Sequence, residues 1–110
     1  MTWEVLVHPE AVAELSKLPA REKAAMDTAM EKLRAVGPNL GFPHTSNIQS
    51  AEDIRELRPR QGRSPWRAFY RVVDGELIVA AIGPEASVDG RAFARAVAAA
   101  SSRLDELEED

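Results

Sequence analysis

The sequence has no cysteine, a single tyrosine, two histidines and three lysines. Without cysteine there is no disulfide framework, no thiolate nucleophile and no thiolate zinc site, and the expected location is the cytoplasm. His8 and His44 are too few for a histidine-built metal centre, so neither a metal nor a cofactor is expected. Long apolar runs are missing as well. The longest is the six residues Leu77–Ile82, against the roughly 20 that a membrane helix needs, so no membrane association is expected. Met1-Thr2-Trp3-Glu4 lacks the basic opening of a secretion signal. With 110 residues, 45% of them hydrophobic, the chain is expected to form one domain over residues 1–110, being too short for two cores.

Charge is present in quantity but unevenly placed. The net charge of −4 argues weakly against a nucleic-acid partner, yet it averages very different segments. Residues 1–54 carry −3, residues 55–71 carry +5 and residues 72–110 carry −6. The basic segment holds Arg55, Arg58, Arg60, Arg63, Arg67 and Arg71, opposed only by Glu56. All six cations are arginine, whose planar fork suits phosphate or carboxylate better than a lysine ammonium does.

Alternation of Trp3, Val5 and Val7 with Glu4, Leu6 and His8 predicts an edge strand. Pro9 suits a helix start, and Val12, Leu15 and Leu18 recur at helical spacing until Leu18-Pro19 breaks the run. A second helix follows from Ala20, with Met26, Ala29, Met30 and Leu33 on one face and Gly37-Pro38 as its stop. Residues 37–53 show little periodicity and are expected to be a loop of unusual length. Three antiparallel strands come next, at Ile54–Arg58, Trp66–Val73 and Glu76–Ile82, the last two joined by the hairpin turn Asp74-Gly75. Asp89 and Glu85 read as helix-start residues. The last helix carries an apolar stripe of Phe93, Val97, Ala100, Leu104 and Leu107 and ends in Asp105, Glu106, Glu108, Glu109 and Asp110, acids that oppose the helix dipole. The predicted fold is therefore α+β, a small antiparallel sheet with an N-terminal helical hairpin and a C-terminal helix.

Strand geometry makes the arginines a candidate site. The pleat puts Trp66, Ala68, Tyr70 and Val72 on one face and Arg67, Phe69, Arg71 and Val73 on the other. Arg67 and Arg71 then stand about 13 Å apart at ~3.3 Å per residue. Arg58 and Arg60 share a face of the preceding strand if it continues through Pro59, and pairing would gather three or four guanidinium groups on one surface. Such groups can neutralise the charge that develops on a scissile phosphate without a metal. The competing reading is a sheet face paired with the acidic C-terminal segment. Trp66 and Tyr70 read first as packing residues, and His44 as a loop histidine able to transfer a proton.

The ordered set Pro43, Ile54-Arg55-Glu56-Leu57-Arg58, Trp66-Arg67-Ala68-Phe69-Tyr70-Arg71-Val72 and Asp74-Gly75 resembles the RelE/ParE toxin superfamily, in particular its HigB-like, phage-derived branch. The resemblance covers nearly the whole chain. It implies a compact sheet with an N-terminal helical hairpin, and a ribosome-dependent messenger-RNA endonuclease neutralised by a small helix-turn-helix antitoxin. By position it implies Arg67 at the scissile phosphate, Arg58 and Arg60 as RNA-contacting residues, an aromatic residue at Tyr70 and a functional loop histidine at His44. Taken with the basic segment, the expected catalytic residues are Arg67 and Arg71 at the phosphate with Tyr70 and His44 as proton-transfer candidates, and Arg58, Arg60 and Arg63 are the expected RNA-binding residues. The chain departs from the pattern at Gly83-Pro84-Glu85-Ala86-Ser87, where such toxins often carry a basic residue, so Arg91 or Arg95 would have to replace it. That departure keeps two alternatives open. One is a ParE-like, non-enzymatic inhibitor of a protein target such as DNA gyrase, and the other is a degenerate member that only binds antitoxin.

Overall fold

The alternating stretch near the N-terminus yields only a short strand, β1 (Val5–Val7), because Pro9 opens a helix directly after it. The computed structural model describes Thr2–Glu108; Met1 and the acidic Glu109 and Asp110 lie outside the described residues. Helix α1 (Pro9–Ser16) starts with Pro at its first position, and His8 caps the helix, its Nδ1 accepting the Glu10 N–H at 3.1 Å. Pro19 separates α1 from α2 (Ala20–Val36), which buries Met26, Met30 and Leu33 and ends at Gly37. These two helices are the predicted hairpin.

The expected long loop contains a strand. After a 3-10 turn at Gly37–Asn39 comes β2 (Thr45–Asn47), paired antiparallel with β3 (Arg55–Leu57). Its sequence, Thr-Ser-Asn, has no apolar alternation to betray it. What holds it is the ladder together with Arg55, which donates to Thr45 Oγ1 at 2.7 Å and to Asn47 Oδ1. β4 (Trp66–Val73) and β5 (Glu76–Pro84) follow, joined at Asp74-Gly75, where both residues have positive φ.

The sheet order is β1-β5-β4-β3-β2. It is mixed: β2 to β5 are antiparallel, whereas β1 runs parallel to β5. Alternation in a sequence carries no strand direction, so this was not readable. Between Phe69 and Tyr70 the register with β5 shifts by one residue. Each face of the sheet is covered. The helical hairpin packs on Ala68, Tyr70, Leu77, Val79 and Ile82. The C-terminal helix α3 (Gly90–Glu108) packs through Val97, Ala100 and Leu104 on Phe69, Ala80 and Ala81. Asp89 caps α3, accepting the Ala92 N–H at 3.0 Å. α3 lies close on β5 because Gly83 has no side chain; a Cβ there would stand 2.6 Å from the Ala96 Cβ. The apolar stripe ends one turn early, with Leu107 52% exposed. Among the described residues no helix is long and apolar enough to cross a membrane.

Where β1 stops, a side-chain pair takes over the edge of β5. Glu14 of α1 accepts the Ile82 N–H at 3.0 Å, and Arg103 of α3 donates to the Ala80 carbonyl at 2.8 Å and to both Glu14 oxygens. Burial pushes the Glu14 carboxyl upward, but the hydrogen bonds from Arg103 and the Ile82 N–H, with the charges of Arg103 and Lys17, outweigh it and leave the pKa below the usual glutamate value. Because the folded value is depressed, this contribution is present above the ordinary glutamate range and is lost as pH falls through the folded pKa. Denaturant midpoints measured from pH 7 down to about pH 3 should therefore fall. Glu14→Gln should lower the midpoint at pH 7 and flatten the acid limb; an acid limb as steep as that of the wild type would contradict the assignment.

Candidate functional site

Arg67 is buried rather than presented. Its side chain is 2% exposed and is held by two carboxylates, Glu56 through Nε at 3.2 Å and Glu85 through Nη2. It also donates to the carbonyls of Ser64 at 2.6 Å, Trp66 at 2.9 Å and Gly62 at 3.4 Å. The expectation of an open guanidinium surface fails here for a plain reason: Glu56 of β3, the carbonyls of Gly62, Ser64 and Trp66 and the Glu85 carboxylate enclose Arg67, while on the same face of β4 α3 packs on Phe69 and supplies Glu108 to Arg71. Glu85 is not a helix-start residue. It occupies the position after β5 where a cation was sought, and it neutralises Arg67.

Arg71 is likewise engaged. It is 9% exposed and bonds Asp53 at 2.6 Å and, on α3, Glu108 at 2.5 Å and Asp105 at 3.4 Å. This accounts for Asp105 and Glu108 near the C-terminal end of α3, since the strand arginine compensates what the helix dipole disfavours. Tyr70 is 1% exposed within the core beneath the helical hairpin, and its hydroxyl has no hydrogen-bond partner among the described residues. Alternation with Ala68 places it there, and it does not line the groove described next. Arg91 and Arg95 are exposed on α3 and do not line the groove described next.

The other half of the basic segment behaves differently, because Pro59 ends the strand. Pro59–Gly62 is a 3-10 turn in which Arg60 and Gln61 both adopt the left-handed region, at φ 53° and 58°. Non-glycine residues there cost about 1–3 kcal/mol each, and such strain persists only where the surroundings over-determine it. Two clamps do so. Arg67 holds the Gly62 and Ser64 carbonyls from the sheet side. From α2, Glu22 accepts from Arg60 Nη2 at 2.7 Å and from Ser64 Oγ at 2.9 Å. The Ser64 hydrogen bond, with the Arg60 bond and charge, outweighs the upward push of desolvation and holds the Glu22 pKa below its usual value. At Gly62, φ is +95° and a Cβ would meet Arg58 Nη2 at 2.4 Å, so glycine leaves room for the Arg58 guanidinium to lie over the turn.

The clamped turn faces α2 across a groove of about 360 Å³. Its basic lining is Arg21, Lys32, His44, Arg58, Arg60 and Arg63, joined by the uncharged Thr28 and Gln61, and its floor is small and apolar, with Ala25, Ala29, Leu40 and Leu57. Among the described residues Arg21, Lys32, Arg58 and Arg63 have no carboxylate within salt-bridge distance. The groove thus gathers His44, Arg58, Arg60 and Arg63 of the expected set, with Arg60 already paired to Glu22, and leaves out Arg67, Arg71 and Tyr70. Arg21 and Lys32 escaped the sequence reading. They are eleven residues apart, three turns at about 3.6 residues each, with Ala25, Thr28 and Ala29 between them on the same face. That small-residue face framed by two cations was a usable signal.

Solved structures of the same shape bear on the fold. A mutant of the Escherichia coli toxin RelE in the free state aligns with 88% of this chain and 96% of its own, at 17% identity and TM-score 0.63. RelE in the Pyrococcus horikoshii RelE–RelB complex aligns over 76% and 96% at 23% identity and TM-score 0.56. The Mycobacterium tuberculosis RelBE2 toxin–antitoxin complex aligns over 77% and 100% at 19% identity and TM-score 0.59. The architecture is therefore that of the RelE toxins, as the sequence resemblance implied. The chain belongs to the phage-derived Gp49-like protein family (DUF891), whose model matches residues 13–83, from within α1 to the end of β5. No curated protein sequence matches the chain.

Proposed function

We propose that the protein is the toxin of a type II toxin–antitoxin pair, that its groove takes the backbone of a single-stranded RNA, and that it cleaves this RNA without a metal. The reading rests on one juxtaposition: Arg58 and Arg63, without carboxylate partners among the described residues, line the same groove as His44. Four cations without carboxylate partners among the described residues, set around an apolar floor, match the sequence-independent, phosphate-directed part of nucleic-acid binding. In the reaction the ribose 2′-hydroxyl gives its proton to the His44 imidazole while its oxygen bonds to phosphorus. The 5′-oxygen of the next nucleotide leaves and takes a proton from water, giving a 2′,3′-cyclic phosphate and a 5′-hydroxyl, and the His44 imidazolium returns its proton to solvent. Arg58 and Arg63 neutralise the charge growing on the non-bridging oxygens, a role in which one lost donor typically costs about 2.7–4 kcal/mol of barrier.

Messenger RNA on the ribosome is the expected substrate. The antitoxin, expected to be a helix-turn-helix protein, neutralises by covering the groove with acidic side chains. The known complexes of RelE-fold toxins with their antitoxins support an antitoxin partner. His44→Gln separates binding from chemistry. RNA affinity should stay within about twofold, while cleavage mapped by primer extension on induced transcripts falls by about 10²–10⁴, the usual range for a general acid–base group. Undiminished cleavage would remove His44 from the reaction.

One observation favours a second reading. Glu85 neutralises Arg67 where a free cation was expected, which fits a non-enzymatic inhibitor of a protein such as DNA gyrase. That reading predicts intact transcripts with impaired supercoiling, whereas a protein that only binds antitoxin leaves growth unaffected.

A further inference from the structure

Among the described residues Phe42 stands apart from every other large apolar side chain. It is 76% exposed, while the remaining exposed ones lie between 40% and 58%. A phenyl ring left in water forgoes roughly 1.5–3 kcal/mol of burial, and neither core cluster includes it. It is nevertheless positioned. The Arg58 guanidinium lies over the ring at 4.8 Å from its centroid, a cation–π contact. Two residues along the chain, His44 lines the groove, and the Arg58 N–H donates to the His44 carbonyl at 2.8 Å. The ring is thereby fixed at the rim of the basic groove, in contact with a cation of its lining and largely uncovered.

We propose that Phe42 is a stacking platform for an unpaired base of the strand whose phosphates occupy the groove, with Arg58 shared between the ring and the backbone. The proposal rests on reading the groove as a single-stranded RNA site, and it adds the residue that reads the unpaired state: the ring engages a base free of pairing next to the bound phosphates. Aromatic platforms beside basic grooves serve single-stranded nucleic acid because every base has a π face, while the cations hold the chain in place. A paired base is stacked inside its helix and cannot reach the ring. The platform therefore makes the groove selective for single strands, with little preference among bases.

The test uses the full chain, a short oligoribonucleotide with 2-aminopurine at a central position, and the same oligonucleotide abasic there. Phe42→Ala should weaken the base-containing strand about 5- to 150-fold and abolish the quenching of 2-aminopurine on binding, while Phe42→Trp retains both. The abasic strand should bind wild type and Phe42→Ala alike. Equal affinity of wild type and Phe42→Ala for the base-containing strand, with binding lost in the Arg58→Ala/Arg63→Ala protein, would overturn the platform and leave the groove standing. No loss in that double variant either would overturn both. An equal loss for the abasic strand would make the ring a support for Arg58 instead. Unchanged RNA binding by Phe42→Ala with loss of a co-expressed partner protein would assign the ring to a protein interface.

Discussion

Arg67→Ala unfolds the protein rather than disarming it. Removing this side chain leaves Glu56 and Glu85 facing each other without their cation and frees the carbonyls of Gly62, Ser64 and Trp66. Breaking a buried ion pair from one side typically costs about 3–5 kcal/mol. A domain of this size has roughly 5–15 kcal/mol in total, so the variant should be marginal or unfolded at 37 °C. Urea unfolding followed by circular dichroism measures it. Replacing the set together, as Arg67→Met with Glu56→Gln and Glu85→Gln, should recover much of the loss, because no uncompensated charge remains. Wild-type stability in Arg67→Ala would contradict the account. Lost growth inhibition in that variant is thus no evidence of catalysis until folding has been measured.

The second large effect falls on the opposite property. Arg58→Ala/Arg63→Ala should stay folded with only a small drop in its unfolding midpoint, since neither guanidinium has a carboxylate partner among the described residues and what is lost is the Arg58 contact with the Phe42 ring and the Arg63 Nε bond to the Arg60 carbonyl at 3.2 Å. It should lose RNA affinity by about 100-fold or more, at roughly 1.5–3 kcal/mol for each charge-assisted hydrogen bond and 1.4 kcal/mol per tenfold. Growth inhibition on induction should disappear with it. A folded double variant that binds RNA and inhibits growth as the wild type does would place the RNA elsewhere.

The contrast between these variants marks what the sequence made legible. The helical hairpin was readable because Pro9, Pro19 and Gly37 punctuate two runs of helical period. The β4–β5 hairpin was readable from Asp74-Gly75 between apolar strands. β2 was not, because its three polar residues are held by pairing and by Arg55 rather than by burial. The error with most consequence concerned Arg67 and Arg71. Strand alternation correctly put them on one face together, but it cannot say whether that face is open. The information lay elsewhere in the chain: the helical hairpin and the Val97-Ala100-Leu104 stripe are two apolar surfaces competing for one sheet, so both faces had to be covered. Two arginines on a covered face need carboxylates, and the acids at Glu56, Glu85, Asp53, Asp105 and Glu108 provide them.

For the groove, the residue types were legible and the arrangement was not. The strand was expected over Ile54–Arg58, with Arg60 sharing its face only if it ran on through Pro59; it does not, because Pro59 turns the chain out of the sheet, and Arg60 and Gln61 enter a strained turn that only tertiary clamps stabilise. Arg58 and Arg63 consequently face α2 instead of joining Arg67. Glu22 shows the same limit, being an ordinary first-turn acid in sequence and the anchor of Arg60 and Ser64 in three dimensions.

The arginine segment is thus divided into buried counter-ions and exposed phosphate ligands, and salt dependence tests that division most directly. The affinity of a single-stranded oligoribonucleotide would be measured across a salt series for the wild type and for Arg58→Ala/Arg63→Ala. With a slope of about −0.7 in log K against log salt for each phosphate contacted, loss of two contacts should make the slope shallower by about 1.4. An unchanged slope in the folded double variant would contradict the claim that these two arginines hold the backbone.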